Sequence, residues 1–97
     1  MDILWFEFAR NELVHIRRYI GERNPRSAKE LARRIIDAVE GLRGHPGMGR
    51  PGRLSGTREL VINGTPYIVL YRVRLEQIEI LRVMHSSRKW PENRDEH

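Results

Sequence analysis

The chain has 97 residues, enough for one compact domain with a modest core. Apolar residues make up 39% and charged residues 32%, too apolar a balance for a disordered chain; the absence of cysteine excludes a disulfide scaffold, thiolate-ligated zinc, an iron–sulfur cluster and thiol catalysis. The formal charge of +5 is unevenly spread: residues 1–42 carry net +1, residues 43–90 net +6 and residues 91–97 net −2. Arginine outnumbers lysine 16 to 2, and guanidinium suits planar contact with phosphate or carboxylate, so the charge points to an anionic partner. No apolar run reaches the roughly 20 residues of a membrane span. Asp2 and Glu7 stand where a secretory signal would be basic, so a cytoplasmic protein with no membrane partner is expected.

In chain order, residues 2–7 open with a short apolar run that predicts a first strand. Leu13, Ile16 and Ile20 then recur at helical spacing with Tyr19 beside them, predicting a helix over 8–23. Asn24-Pro25 pairs an N-cap with a residue tolerated at the first helical position, while Ser27 and Glu30 offer a competing start. The second helix, 25–43, places Ala28, Leu31, Ala32, Ile35, Val39 and Leu42 on one face, and Arg33, Arg34, Asp37 and Glu40 largely on the other. Gly44 stands at the C′ position and Pro46 prevents continuation. The glycine- and proline-rich stretch from His45 to Gly56 reads as loop throughout, and residues 47–52 within it as a tight connector needing positive φ.

Beyond it the apolar period falls to two, and three strands are expected at 55–63, 66–74 and 77–85. Asn63-Gly64 marks the first hairpin, lengthened by Thr65-Pro66. Tyr67–Val73 is apolar on both faces, which places it centrally in its sheet. Ile78 and Ile80 share one phase and Leu81 and Val83 the other, a shift that a bulge near Leu81–Arg82 would explain. The expected architecture is α+β, in the order β-α-α-β-β-β, an antiparallel sheet with a helical hairpin packed on one face.

No phosphate-binding, dinucleotide or zinc-protease motif is present, and no histidine pairs at metal-ligand spacing, so neither metal nor cofactor is expected. Arg50 and Arg53, within the glycine-rich stretch, are candidate contacts to an anion. Arg58, Arg72, Arg74 and Arg82 fall on strands, with Arg72 and Arg74 two apart and so on one face. His85, flanked by Arg82, Arg88 and Lys89, is suited to acid–base work on a phosphodiester, or else to ordering the chain that follows. Trp90 suits stacking on a base or pinning the tail to the domain.

Several segments, in order and spacing, resemble a known family. They are Ile3-Leu4-Trp5; Ala9 with Leu13, Ile16, Tyr19 and Ile20; Ala28–Leu42; His45–Pro51; Arg58–Val61; Tyr67–Val73; and Ile80–His85 with Arg88. Together they resemble the RelE/ParE superfamily of type II toxin–antitoxin toxins, closer to ParE than to RelE. Phe6-Glu7 departs from the Ser-Pro common there at the first helix start, which weakens that cap. The resemblance implies one toxin domain over residues 1–90, followed by a polar tail at 91–97. It also implies growth arrest, relieved by a cognate antitoxin encoded beside the toxin. ParE-like members inhibit DNA gyrase, whereas RelE-like members cut mRNA on the ribosome with clustered Lys/Arg and a Tyr, Glu or His. The expected partner- or target-binding residues are Arg50, Arg53, Arg58, Arg72, Arg74, Arg82, Arg88 and Trp90. For mRNA cleavage the candidates are His85, Arg82, Arg88 and Arg58, with no tyrosine in the tail and Ile68 where RelE-like members carry Arg in the central strand.

Overall fold

A computed structural model describes residues 1–87. The elements are β1 (Asp2–Trp5), α1 (Glu7–Gly21), α2 (Pro25–Glu40) with a 3-10 turn at Gly41–Arg43, β2 (Arg50–Pro51), β3 (Arg58–Val61), β4 (Tyr67–Arg74) and β5 (Gln77–His85). They follow the expected order with one addition: β2 lies inside the stretch expected to be wholly loop. It pairs antiparallel with β3, through Arg50↔Glu59 and Pro51↔Arg58, at the edge where a proline's missing N–H costs no ladder bond.

The sheet runs β1-β5-β4-β3-β2. The expected all-antiparallel pairing is corrected at one place, since β1 lies parallel to β5, with Ile3↔Ile78 and Trp5↔Ile80 in register. The helical hairpin between β1 and the meander is the long crossover that a parallel neighbour requires. The bulge falls where the phase change put it. Leu70 faces Arg82 and Tyr71 faces Ile80, leaving Leu81 as the extra residue of β5.

The helices start and stop for local reasons. Asn24 caps α2, its side chain accepting from Ser27 N–H at 3.1 Å, with Pro25 at the first helical position. Phe6 gives α1 no side-chain cap, as its departure from Ser-Pro implied, and its own N–H donates instead to the Ile80 carbonyl at 3.0 Å. Gly44 follows the 3-10 turn at φ −89°, so the expected left-handed C′ glycine does not form.

Ile35, Val39 and Leu42 from the helical side meet Val69, Tyr71, Ile78, Ile80 and Val83 from the sheet in the main core, with Leu31 partly buried beside them. On the other sheet face Ile68, Leu70 and Met84 form a second buried cluster with Leu81 packed against it. That face is therefore not an exposed apolar surface.

The glycine-rich connector is fastened to the end of the sheet. Tyr71, fully buried, donates its hydroxyl to the Pro46 carbonyl at 2.7 Å and accepts from Gly49 N–H at 2.9 Å. Arg58 donates to the carbonyls of Gly49 (2.7 Å) and Gly47 (3.3 Å). Close approach, not positive φ, requires the glycine at 49: a Cβ there would lie 2.7 Å from the Tyr71 ring. Positive φ occurs instead at Gly56 and Gly64, and at Leu75 and Glu76 in the β4–β5 turn.

Candidate functional site

The sequence-derived candidates separate into three groups. Arg50 and Arg53 converge on Glu59, a carboxylate only 2% exposed, which accepts from Arg50 Nη2 at 3.2 Å and from the Arg53 backbone N–H at 3.1 Å. The Arg53 Nε lies 3.5 Å from the same carboxylate. Arg58 is spent on the connector. Arg72 donates to Glu79, its partner across β4–β5, at 2.6 Å and lies over the Phe6 ring. Arg74 is exposed and has no ion pair among the described residues. The two-guanidinium patch expected of Arg72 and Arg74 is thus divided, one residue neutralised and one open.

Arg82 belongs with α1. β1 ends opposite Ile80, so the rest of β5 has no strand on that side. Glu12 fills the gap, accepting from Val83 N–H at 2.8 Å and from Arg82 Nε and Nη2, the latter at 2.8 Å. The Arg82 guanidinium also lies 4.8 Å from the Phe8 ring centroid. With only 13% and 16% of the two side chains exposed, the pair is desolvated on both sides, and the additional Val83 bond helps to offset that cost.

His85 closes β5 directly opposite Tyr67, the rings edge to face at 5.4 Å. Its Nδ1 takes the Ser87 backbone N–H at 3.1 Å and lies 2.7 Å from the Ser87 hydroxyl. Both rings line an open groove of about 490 Å³ between α1 and β5, along with Phe8, Glu12, His15 and Tyr19. Burial, and then the neighbouring Tyr19, raise the Tyr67 phenol above the ordinary tyrosine value. Arg88 and Trp90 lie outside the described residues. Among those described, no group of three His, Asp or Glu side chains converges to hold a metal, and no helix is long and apolar enough to cross a membrane.

A family model, the ParE toxin of the type II toxin–antitoxin system parDE, matches residues 3–90. The chain belongs to the ParE toxin family. The putative toxin Y4kP of Sinorhizobium fredii is 42% identical over 90 residues, 93% of either chain, and toxin RelE2 of Caulobacter vibrioides is 34% identical over 87 residues, 90% of this chain and 97% of that one. The toxin of the chromosomal ParDE system from P. aeruginosa superposes with a TM-score of 0.81 at 27% identity, covering 88% of this chain and 95% of that one. A chain of the toxin–antitoxin complex RelBE2 from Mycobacterium tuberculosis gives 0.57 at 28% identity, over 87% and 95%. This protein is a type II toxin of the RelE/ParE superfamily, nearer in fold to the ParE system.

Sequence reasoning found His85 but missed what surrounds it in this ParE-family chain. The four-residue recurrence of Phe8 and Glu12, then His15 and Tyr19, puts them on one stripe of α1, a signal present in the sequence. Counting back across the β4–β5 turn through the expected bulge would also have set Tyr67 against His85. The Glu12–Arg82 pair had no such signal, its partners being 70 residues apart.

Proposed function

We propose that this toxin acts by binding DNA gyrase and inhibiting it, arresting growth in the cytoplasm until its cognate antitoxin neutralises it. The observation that carries the reading is the engagement of the two described cationic candidates for phosphodiester chemistry. Arg82 is held by Glu12 and Phe8, and Arg58 by the carbonyls of Gly47 and Gly49. RNA cleavage needs cations aimed at the charge that develops on the phosphate, and guanidiniums already paired inside the fold are poorly placed to supply it. Inhibition by binding needs only a complementary surface. The antitoxin fits the groove between α1 and β5, whose exposed Phe8 and Tyr19 ask for apolar side chains.

The contact between His85 and Tyr67 supports a second reading, a RelE-like mRNA endonuclease, because an imidazole and a phenol side by side can divide general base and acid roles. His85→Gln and Tyr67→Phe separate the two. Under the binding reading both variants keep their toxicity, and the purified wild-type toxin blocks supercoiling by purified gyrase. Loss of toxicity in either folded variant, with mRNA cleaved on ribosomes by the wild type alone, would establish the endonuclease instead.

A further inference from the structure

A strand at the edge of a sheet presents a row of unpaired backbone donors and acceptors, which folds usually shorten, charge or cover. The two edges of this sheet differ. β2, at one edge, is two residues long and carries Pro51. β1, at the other, has four residues and no proline. Its parallel register with β5, and the Phe6 N–H donated to the Ile80 carbonyl, turn Leu4 and the Phe6 N–H towards β5. The N–H and C=O groups of Ile3 and Trp5 therefore point outward, and neither residue makes a backbone hydrogen bond among the described residues. Their side chains are only partly buried against the main core, and Leu4, on the opposite face, is 43% exposed. The edge is thus open, apolar and short.

We propose that β1 pairs antiparallel with β1 of a second copy of this chain about a twofold axis at Leu4, joining two five-stranded sheets into one. The pairing is independent of whether gyrase or the ribosome is the target. The segment is self-complementary in that register. Ile3 of each copy lies opposite Trp5 of the other, so every outward N–H of these residues finds a carbonyl. Their side chains form a β-branched and aromatic cross-strand pair, a favourable combination. Leu4 meets Leu4 of the other copy at the narrow, non-hydrogen-bonded site on the opposite face. At each end Met1 lies opposite Glu7 of the other copy. Arg43 stands at that end, its Nε bonded to Glu40 at 2.7 Å and its Nη1 donating to the Met1 carbonyl at 3.3 Å, which leaves Nη2 for the incoming carboxylate. Glu7 is exposed and has no ion pair among the described residues. The same contacts fix the register. A slip of two residues one way needs the Met1 carbonyl that Arg43 already holds, and a slip the other way brings the first turn of α1 into the ladder. An unrelated strand has no reason to match both the apolar pairs and the charges at the two ends.

The test uses the full-length toxin, with the folding of every variant checked by circular dichroism. Sedimentation velocity from about 1 to about 200 µM is expected to show monomer passing to dimer, since so short a ladder gives a weak interface. Leu4→Lys sets two ammonium groups against each other across the axis and should weaken dimerisation at least about tenfold. Glu7→Arg should weaken it about threefold at low salt, and adding Arg43→Glu to that variant should restore it. Because the chain has no cysteine, Leu4→Cys introduces a single thiol. Its Cβ would stand about 5 Å from that of the other copy, so under oxidised glutathione it should cross-link at least about tenfold faster than Val61→Cys, at a similarly exposed residue of β3. Wild-type toxin that stays monomeric over the whole range would overturn the proposal. So would a dimer indifferent to Leu4→Lys, whose interface then lies elsewhere, or equal cross-linking from the two cysteines. A monomer whose Leu4→Lys variant loses binding to the small protein encoded beside it would give the edge to a strand of that partner, and the proposal would fall.

Discussion

Glu12 replaces a missing strand. One carboxylate satisfies the Val83 N–H that β1 is too short to reach and also neutralises Arg82, so its removal leaves a buried donor and a buried cation at once. Glu12→Ala is expected to cost about 3 kcal/mol in urea denaturation. Arg82→Met should cost clearly less, because Val83 keeps its acceptor. A Glu12→Ala loss below about 0.5 kcal/mol would mean that water serves the edge equally well. Tyr67 gives a pH-dependent counterpart. Its pKa is raised in the fold, by burial first and Tyr19 second, so the folded state binds that proton more tightly than the unfolded chain. The associated stability is complete below the ordinary tyrosine value of about 10 and is lost as pH rises from there through the raised value. Across that window the melting temperature of wild type should fall relative to that of Tyr67→Phe, and parallel curves would contradict the assignment.

Among the elements, the helices and the meander were legible because their causes are local: apolar period, the Asn24-Pro25 start, and the Asn63-Gly64 turn. Even the bulge showed itself as a phase change between Ile80 and Val83. β2 was not legible, since Arg50-Pro51 has no periodicity and becomes a strand only because β3 offers it an edge. The parallel placement of β1 was hidden for a similar reason, as nothing in residues 2–5 says which strand will lie beside them. At the candidate site the residue types were visible but their engagement was not, since Glu59 and Glu12 capture arginines through tertiary contacts. The β4–β5 turn violates its local preference, with Leu75 and Glu76 at φ 51° and 58° where asparagine and glycine are favoured. Leu75→Asn with Glu76→Gly should stabilise the fold by about 1 kcal/mol in chemical denaturation, by relieving left-handed strain. No gain, or a loss, would show that the two side chains hold the turn by contacts of their own.

At the scale of the whole molecule, the first and last described strands are neighbours, and β5 lies between β1 and the rest of the sheet. Ile78, Ile80 and Val83 are buried in the main core, so a chain ending after Glu76 loses an inner strand and leaves β1 without its only partner among the described strands. Such a truncation should be unfolded by circular dichroism and non-toxic; a cooperative melt from it would refute the dependence.

The same arrangement gives the molecule an order of assembly during its own synthesis. The helical hairpin can form while the ribosome is still adding residues, but β1 waits, unpaired, for β5. The β2-β3-β4 part of the sheet can pair as it emerges, but β1 joins it only once β5 has been added. A chain cut short before β5 is expected to stay open and suited to proteolysis. For a type II toxin, the position of one parallel strand makes completion of β5 a condition of a folded product.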